Sequence, residues 1–413
     1  MKTNHKNLFC LSLLIFTLLL IHNCDTSIPQ DSPRVRTGAE RLIDQHLGEL
    51  EGRRVGLVMN PTARIGQTHM LDTLLVHGVS ITALFAPEHG FRGEAGAGEV
   101  IEDGVDQATG LPVYSLYGET RKPTGEMLEE VDLLIFDMQD VGARFYTYNS
   151  TLGLLLESAA AHEVPVWVLD RPNPAGGDYL SGWIMEEEFM SFVGMYPIPI
   201  AHGMTLGELG RMMIGEEWID FEASPQFRVI PMDGWQRSMK WPDTGLEWTA
   251  PSPNLPTFEH AFVYLGTCLV EGTTLSEGRG TDDPFLILGS PDTKFDEFDL
   301  QMLQSNLQGV RLSQTEFVPE SIPGKAVSPK YEGVCSAGLE IRVTDYGLYD
   351  PVESGLRILT FLVNHTEEVE FRSFIYRLAG SKEIDQIRSG DDYPWYFDME
   401  TFRQQRKPYL IYE

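Results

Sequence analysis

The chain has 413 residues, 42% of them hydrophobic and 22% charged, which is typical of a soluble globular protein long enough for two domains. Its formal net charge of −30 argues against nucleic acid or an anionic membrane surface as a general partner. An anionic substrate would therefore require a local cluster of arginines in its binding site.

The N-terminal stretch 1–24 is predicted to be a signal peptide that lies outside the fold. Its positively charged start precedes an apolar core, 8–21, that is too short to span a bilayer comfortably. Cys24 follows this core, which leaves two alternatives: a lipoprotein anchored through Cys24, or a plainly secreted protein. In both cases we expect an exported protein, periplasmic, on the outer membrane or secreted, with residues 25–37 as a polar tether.

Between Arg53 and Met232, apolar strands alternate with amphipathic helices, which predicts a doubly wound α/β domain over residues 38–256. The strands are apolar throughout, as expected for a mostly parallel, Rossmann-like sheet covered by helices on both faces. The predicted strands are 55–59, 79–85, 131–136, 164–169 and 227–231, and the predicted helices are 39–47, 68–77, 125–130, 151–162 and 205–214.

Polar and charged side chains follow four successive predicted strands, beside proline or glycine residues. Because ligands bind beyond the carboxyl ends of the strands in such sheets, we expect these segments to meet and outline a pocket. The segments are Asn60-Pro61-Thr62, Pro87-Glu88-His89-Gly90, Asp137-Met138-Gln139-Asp140-Val141-Gly142-Ala143-Arg144 and Asp170-Arg171-Pro172-Asn173-Pro174.

The segment after the second predicted strand is the best candidate for a catalytic loop. Glu88 and His89 stand between Pro87 and Gly90, and Arg92 follows shortly after. The proline fixes the exit of the strand, the glycine lets a ligand approach the backbone, and the glutamate can move a proton or attack a carbon. We therefore expect Glu88 to be the central residue of the site.

The sequence lacks the motifs of the common cofactors. No G-x-G-x-x-G follows the first strand, and no G-x-x-x-x-G-K-[ST] or G-x-S-x-G is present, which argues against a dinucleotide, a nucleoside triphosphate and an α/β-hydrolase. The ten histidines form no H-E-x-x-H, and C-x-x-C is absent, so no built-in zinc site is expected. We expect no cofactor and no metal, with His89 and His202 as hydrogen-bonded pocket residues.

The alternation ends near Trp235. The proline-rich stretch 235–257 is interpreted as the bridge to a smaller α+β domain over residues 257–413. That domain has predicted strands at 261–264 and 338–343 and a predicted helix at 353–364.

Two further features of the second domain concern its loops and thiols. The polar loop 271–281 carries Glu277 and Arg279 among three glycines, and it is expected either to fold over a ligand or to be solvated. Cys268 and Cys335 are expected to be buried free thiols rather than a disulfide.

Taken in order, these segments resemble the bacterial exo-β-N-acetylmuramidases, a family long known as a domain of unknown function. The resemblance runs from about Gly38 to the C-terminus and includes Pro251-Ser252-Pro253-Asn254 and Ser276-Glu277-Gly278-Arg279-Gly280-Thr281. It implies a Rossmann-like catalytic domain followed by an α+β domain that closes the cleft. It also implies release of N-acetylmuramic acid from non-reducing ends of peptidoglycan fragments, with Glu88 as the catalytic carboxylate.

Glycosidic cleavage needs a proton donor for the leaving oxygen and a group that supports an oxocarbenium-like centre. We predict Asp137 or Asp140 for this second role, while Glu277 and the substrate's own acetamido group remain alternatives. An Asx turn, or pairing with Arg144, is an equally good explanation of the two aspartates.

Substrate binding is predicted from the chemistry of muramic acid, whose lactyl carboxylate suits bidentate binding by arginine. Tyr146 and Tyr148 either stack on sugar faces or belong to a half-buried strand. The predicted substrate-binding residues are Asn60, His89, Arg92, Gln139, Arg144, Tyr146, Asp170, Arg171, Asn173, His202, Glu277 and Arg279.

Two other functions use the same predicted pocket. One is a non-catalytic lipoprotein that binds muropeptides or sugars. The other is a metal-dependent hydrolase that uses His89, Asp137, Asp140 and His202.

Overall fold

The computed structural model describes residues 34–92, 102–118, 120–389 and 395–413, and residues 34–413 form one compact unit. The predicted signal peptide, Cys24 and the glycines at 93 and 96 lie outside the described residues. Residues 34–37, predicted as the end of the tether, belong to the compact unit, because Val35 is fully buried and Thr37 caps the first helix.

No helix in the described part of the chain combines the length and the apolar character that crossing a membrane requires.

Strands and helices alternate along the first half of the chain, as the sequence predicts. The strands are β1 (Arg54–Met59), β2 (Arg64–Ile65), β3 (Thr68–His69), β4 (Ser80–Ala86), β5 (Gly104–Val105), β6 (Pro112–Ser115), β7 (Leu133–Asp137), β8 (Val166–Leu169) and β9 (Phe227–Ile230). The helices are α1 (Gly38–Arg41), α2 (Met70–Val76), α3 (Gly125–Leu128), α4 (Tyr148–Ala161) and α5 (Leu206–Gly215).

Among the described residues, seven of these strands form one sheet in the order β5-β6-β4-β1-β7-β8-β9, and β2 pairs with β3. Neighbouring strands from β6 to β9 are parallel, and β5 at the edge is antiparallel. The predicted doubly wound, mostly parallel sheet is therefore confirmed. Since β4, β1, β7 and β8 are parallel neighbours, the four strand-end segments lie along the same edge.

Helices cover both faces of the sheet, so β7 and β8 are buried at every position. Thr205 is the N-cap of α5 and forms a reciprocal capping box with Glu208. Two helix starts differ from the prediction. β3 takes the first residues of the predicted helix at 68–77, so α2 begins at Met70, and α4 begins at Tyr148, three residues earlier than predicted.

The second half of the chain has a smaller antiparallel sheet with helices around it, which confirms the α+β prediction. Its strands are β10 (Ile287–Ser290), β11 (Val310–Phe317) and β12 (Ser336–Val343), in the order β10-β12-β11. Its helices are α6 (Phe258–Thr267), α7 (Glu297–Ser305), α8 (Pro351–Asn364), α9 (Phe374–Ala379) and α10 (Glu400–Arg406). The boundary between the two predicted domains at residue 256 stays a prediction.

The strand predicted at 261–264 is wrong, because these residues lie in α6. Thr257 caps this helix by accepting a hydrogen bond from the backbone N–H of His260. α6 is buried all round, so its apolar run shows no helical periodicity in the sequence. It packs closely against α8, where Gly266 and Gly355 leave no room for a Cβ atom.

The loop-rich bridge 235–257 contains one short 3-10 turn, Trp241–Thr244, as its regular structure. Cys268 and Cys335 are both free, as predicted. Cys268 is buried as expected, but Cys335 is exposed, so the prediction of a second buried thiol is wrong.

Arg144 is fully buried and joins distant parts of the chain. Its Nη1 donates to the carbonyl oxygens of Trp183 (2.6 Å) and Ile198 (2.9 Å), and its Nη2 donates to those of Leu378 and Ala379 (both 2.7 Å). Burial lowers the pKa of Arg144 to about 9. The enclosed guanidinium has no surface to offer a ligand, so the prediction that Arg144 binds substrate is corrected to a structural role.

Replacing Arg144 with lysine is expected to destabilise the protein by about 3 kcal/mol, because one ammonium cannot reproduce the planar fork that serves four carbonyls. Urea denaturation measures the change. The matched control is Arg311→Lys, at an exposed position of β11. Equal stability of the two variants would contradict the structural role of Arg144.

Asp170 is also fully buried, at the end of β8. Its carboxylate accepts hydrogen bonds from the Thr205 hydroxyl (2.7 Å), the Gly207 N–H (3.0 Å) and the Tyr412 hydroxyl (2.6 Å). Burial, which outweighs these bonds, raises the pKa of Asp170 to about 7. Asp170 thus joins β8, α5 and the C-terminal segment, and its predicted contact with substrate is corrected.

Asp170 should make stability depend on pH. Its pKa of about 7 in the folded protein exceeds the usual aspartate value of 3.8, so its stabilising effect is complete below about pH 4 and is lost as the pH rises through 7. Relative to Asp170→Asn, the unfolding free energy of the wild type should fall by roughly 4 kcal/mol between about pH 4 and pH 8. Urea denaturation at intervals across this range checks it, and a pH-independent difference would refute it.

Candidate active site

A cavity of about 380 Å³ lies beyond the carboxyl end of β4 and is lined by residues from both halves of the chain. It brings together five of the predicted site residues. Glu88 and His89 come from the segment after β4, Tyr146 from the turn before α4, and Glu277 and Arg279 from the polar loop. The position of the polar loop therefore agrees with the prediction that it folds over the pocket. We call this space the Glu88 cavity.

The backbone around Glu88 makes a tight turn at the end of β4. The Gly90 N–H donates to the Pro87 carbonyl at 3.0 Å. His89 has a φ of 74° and Gly90 a φ of 83°, both in the left-handed region. Glycine adopts this region freely, whereas a histidine there is strained, and such strain is often found at functional sites. The turn brings Glu88 into the lining of the cavity.

Two hydroxyl groups orient the Glu88 carboxylate. The Thr147 hydroxyl donates to Glu88 Oε2 at 2.8 Å. The Tyr117 hydroxyl also forms a hydrogen bond with Glu88, and burial together with this carboxylate raises the pKa of Tyr117. Arg92, predicted to bind substrate beside Glu88, instead pairs with Asp106 at 2.6 Å and lines a separate cavity beyond β1.

Two more carboxylates line the Glu88 cavity within a network of charges. Arg279 donates from Nε to Glu271 Oε1 at 3.0 Å and lies 3.6 Å from Glu277. Lys330 Nζ lies 2.9 Å from Glu277 Oε2, as an ion pair without hydrogen-bond alignment. Burial lowers the pKa of Arg279, but the adjacent Glu271 and Glu277 outweigh it and raise that pKa above its usual value.

Lys325 lines the same cavity and was missed by the sequence analysis. Its ammonium donates to the Thr281 carbonyl at 3.1 Å. Within the ranges that the structure describes, no aspartate or glutamate forms an ion pair with Lys325, whereas Arg279 and Lys330 are both paired with carboxylates. Its cation is therefore available to an anionic ligand. No motif surrounds Lys325 in the sequence, so only the fold reveals its position.

Aromatic side chains form one wall of the cavity. Tyr264 of α6 packs edge-on against Phe145 at 5.3 Å and against Phe285 at 4.7 Å, measured between ring centroids. Tyr146 lines the cavity with 6% of its surface exposed. Tyr146 and Tyr148 lie in a turn and in α4, so the alternative of a half-buried strand is wrong.

The two aspartates predicted as the second catalytic group are not in the lining of this cavity. Asp137 is fully buried and accepts two hydrogen bonds from Arg171, at 2.5 and 3.0 Å. Asp140 accepts from the Gly142 N–H at 2.7 Å, an Asx turn, and lies 3.5 Å from His202 Nε2. Of the three candidate carboxylates, Glu277 thus lines the Glu88 cavity and Asp137 and Asp140 do not, and the partner of Asp140 is His202 rather than Arg144.

Three further predicted binding residues are buried within the loops of the sheet edge. Asn60 donates to the Tyr148 hydroxyl at 2.6 Å, and Asn173 donates to the Met204 carbonyl at 3.1 Å. His202 accepts from the Met204 N–H at 3.2 Å. These bonds hold the loops, so the predicted substrate contacts of Asn60, Asn173 and His202 are corrected to a positioning role. Gln139 and Arg171 line another cavity, described below.

Over the described residues, no three histidine, cysteine, aspartate or glutamate side chains are grouped as metal ligands. His89, Asp137, Asp140 and His202, named for the metal-dependent alternative, accordingly form no such group.

Comparison with known proteins places these features in a family. Family models described as "Exo-beta-N-acetylmuramidase NamZ", N-terminal and C-terminal, match residues 55–259 and 262–412. The peptidoglycan beta-N-acetylmuramidase NamZ of Bacillus subtilis (strain 168) is 41% identical over 391 residues, covering 92% of each chain.

Two crystal structures of DUF1343 family proteins from Bacteroides fragilis NCTC 9343 have the same fold. One is 32% identical with a TM-score of 0.80, and the other is 33% identical with a TM-score of 0.75. Each match covers 92% of this chain and 99% of the other.

Proposed function

Because the chain belongs to the exo-beta-N-acetylmuramidase NamZ family and is a glycosidase, we propose that it releases N-acetylmuramic acid from the non-reducing ends of peptidoglycan fragments. The observation that carries the proposal is the meeting of Glu88, Glu277 and Lys325 in one cavity. Its volume of about 380 Å³ lies within the range of small-molecule sites.

Glu88 is the proposed acid that protonates the leaving glycosidic oxygen. Its position at the end of a buried strand fixes the backbone, and the Thr147 and Tyr117 hydroxyls orient the carboxyl group. Hydrogen bonds from these two hydroxyls hold the group in place. A proton donor positioned in this way typically contributes a factor of about 10² to 10⁴ to the rate.

Glu277 is the proposed second carboxylate. It lines the same cavity as Glu88, whereas Asp137 is closed off by Arg171. Lys330 and Arg279 fix its side chain from two directions. In this position Glu277 supports the oxocarbenium-like centre or directs the attacking group toward it.

Lys325 is the proposed receptor of the lactyl carboxylate. That carboxylate distinguishes N-acetylmuramic acid from N-acetylglucosamine. Recognition of it requires a cation in the cavity that is not already paired with a carboxylate of the protein. Arg279, the sequence-based candidate inside the cavity, is already paired with Glu271 and Glu277. We assign Arg279 to positioning these carboxylates.

The proposal extends to export and to a role in cell-wall turnover or recycling. It is supported by the charged start and apolar core of residues 1–24 and by Cys24, which provides for an optional lipid anchor. The partner is then a peptidoglycan-derived glycan or muropeptide outside the cytoplasm.

Replacing Glu88 with glutamine is expected to lower kcat for a chromogenic N-acetylmuramic acid glycoside by about 10² to 10⁴, because the amide cannot donate the proton. Glutamine keeps the shape and can still accept a hydrogen bond from Thr147. Release of the chromophore measures the rate, and mass analysis of digested glycan fragments identifies the product. The matched control is Glu129→Gln, at an exposed position after α3. Wild-type turnover by Glu88→Gln would remove Glu88 from the mechanism.

Replacing Lys325 with glutamine is expected to raise KM for the muramic acid glycoside by about tenfold or more, with a smaller change in kcat, because a charge-assisted hydrogen bond to the carboxylate is lost. The inhibition constant of N-acetylmuramic acid should rise in parallel. That of N-acetylglucosamine, which lacks the lactyl group, should stay constant. Lys407→Gln, at an exposed position, is the control. An equal rise in the inhibition constants of both sugars would argue against carboxylate recognition by Lys325.

A further inference from the structure

A second cavity, of about 260 Å³, lies at the carboxyl ends of β1, β7 and β8. Thr62, Gln139 and Arg171, which follow these three strands, all line it, and it shares no lining residue with the Glu88 cavity. The strand order reverses here, because the chain runs from β1 to β4 on one side and later places β7 on the other. Doubly wound sheets bind ligands in the crevice at such a reversal. We call this space the switch-point cavity.

Two buried polar atoms in its lining have no hydrogen-bond partner among the described residues. They are Oε1 of Gln139, a residue 2% exposed, and Nε1 of Trp241, a residue 6% exposed. The amide nitrogen of Gln139 donates to the carbonyls of Asp140 and Pro172, both at 2.7 Å, which fixes the orientation of its oxygen. A buried polar group left without a partner destabilises the protein. Gln139 and Trp241 thus leave one acceptor and one donor unsatisfied, and a ligand with both kinds of group would satisfy them.

Three arginines line the switch-point cavity, and they differ in how their charges are compensated. Arg171 pairs with the buried Asp137, and Arg34 pairs with Glu40. Arg64 donates to two neutral carbonyls, those of Pro61 (2.9 Å) and Gln67 (2.8 Å).

In the part of the chain that the structure describes, no carboxylate forms an ion pair with Arg64. Glu247 also lines the cavity, where it accepts a hydrogen bond from Gln67 at 2.6 Å. In a protein of net charge −30, a guanidinium held beside a cavity without a counterion favours an anionic ligand.

We propose that the switch-point cavity is a second ligand site, for a small molecule that carries a carboxylate or phosphate oxyanion. Arg64 binds the oxyanion, and Arg171, fixed by Asp137, flanks it. Gln139 accepts a hydrogen bond from a hydroxyl or amide group of the ligand, and Trp241 donates one. The assignment is independent of the reaction in the Glu88 cavity. It gives Gln139 and Arg171, predicted from the sequence as substrate-binding residues, a different ligand.

Calorimetric titration of the protein with two separate probes tests the proposal. N-acetylmuramic acid supplies a carboxylate and inorganic phosphate supplies a phosphate, so the two titrations distinguish the source of the oxyanion. We expect at least one probe to bind the wild type and Arg64→Gln to weaken that binding by about tenfold or more. Arg64→Lys, which keeps the charge, should weaken it less, and Arg311→Gln, the matched control at an exposed position, should leave it unchanged.

Lys325→Gln separates the two cavities, because it alters the Glu88 cavity alone. The binding that Arg64→Gln weakens should persist in Lys325→Gln. The proposal is overturned if neither probe binds, if Arg64→Gln binds like the wild type, or if Lys325→Gln abolishes the same binding. Thermal melting of each variant verifies the fold. If Arg64→Gln has a lowered melting temperature, Arg64→Lys, which keeps the charge, takes its place in the comparison. These titrations involve no turnover, so their failure is distinguishable from failure of the proposed hydrolysis.

Discussion

The parallel pairing of β1 with β4 on one side and β7 on the other is the constraint on which the rest of the structure depends. It aligns the carboxyl ends of four strands along one edge. The polar side chains there belong to the segments that directly follow these buried strands. The same pairing places the reversal of strand order between β1 and β7. The edge therefore carries two cavities, one at the reversal and one at the end of β4.

Burial decides how the polar residues along this edge are used. A charged group that is removed from water must be paired or hydrogen-bonded, and at the ends of β7 and β8 the protein itself supplies the partners. Asp137 is paired with Arg171, and Asp170 is bonded to Thr205. These groups hold loops in place. Glu88 instead follows β4, where residues of the second half leave a cavity that its side chain lines.

The sequence was sufficient to predict the parallel sheet, the shared edge and the place of Glu88 in a cavity there, because continuous apolar strands and their polar ends are local signals. It was insufficient to predict which strand-end residues share a cavity. Asp137 and Glu88 are both acidic residues at the end of a buried strand, so the sequence pattern does not distinguish them. In the structure they differ because Arg171 pairs with Asp137. The helix at 258–267 was mistaken in part for a strand because all its faces are buried. Lys325 stands in a segment without periodicity or motif, so no local signal marks it.

The charges of the Glu88 cavity explain how an acidic protein can hold an anionic sugar. Glu271, Arg279, Glu277 and Lys330 form a network of two negative and two positive groups whose charges offset one another. Lys325 adds an ammonium group whose described partner is a single carbonyl. If a sugar without a carboxylate bound here, the Lys325 ammonium would be shielded from water and would have no counterion. A site with a buried polar group left unpaired discriminates more strongly than an apolar pocket, so in the proposed function selectivity would rest on the penalty for the wrong ligand.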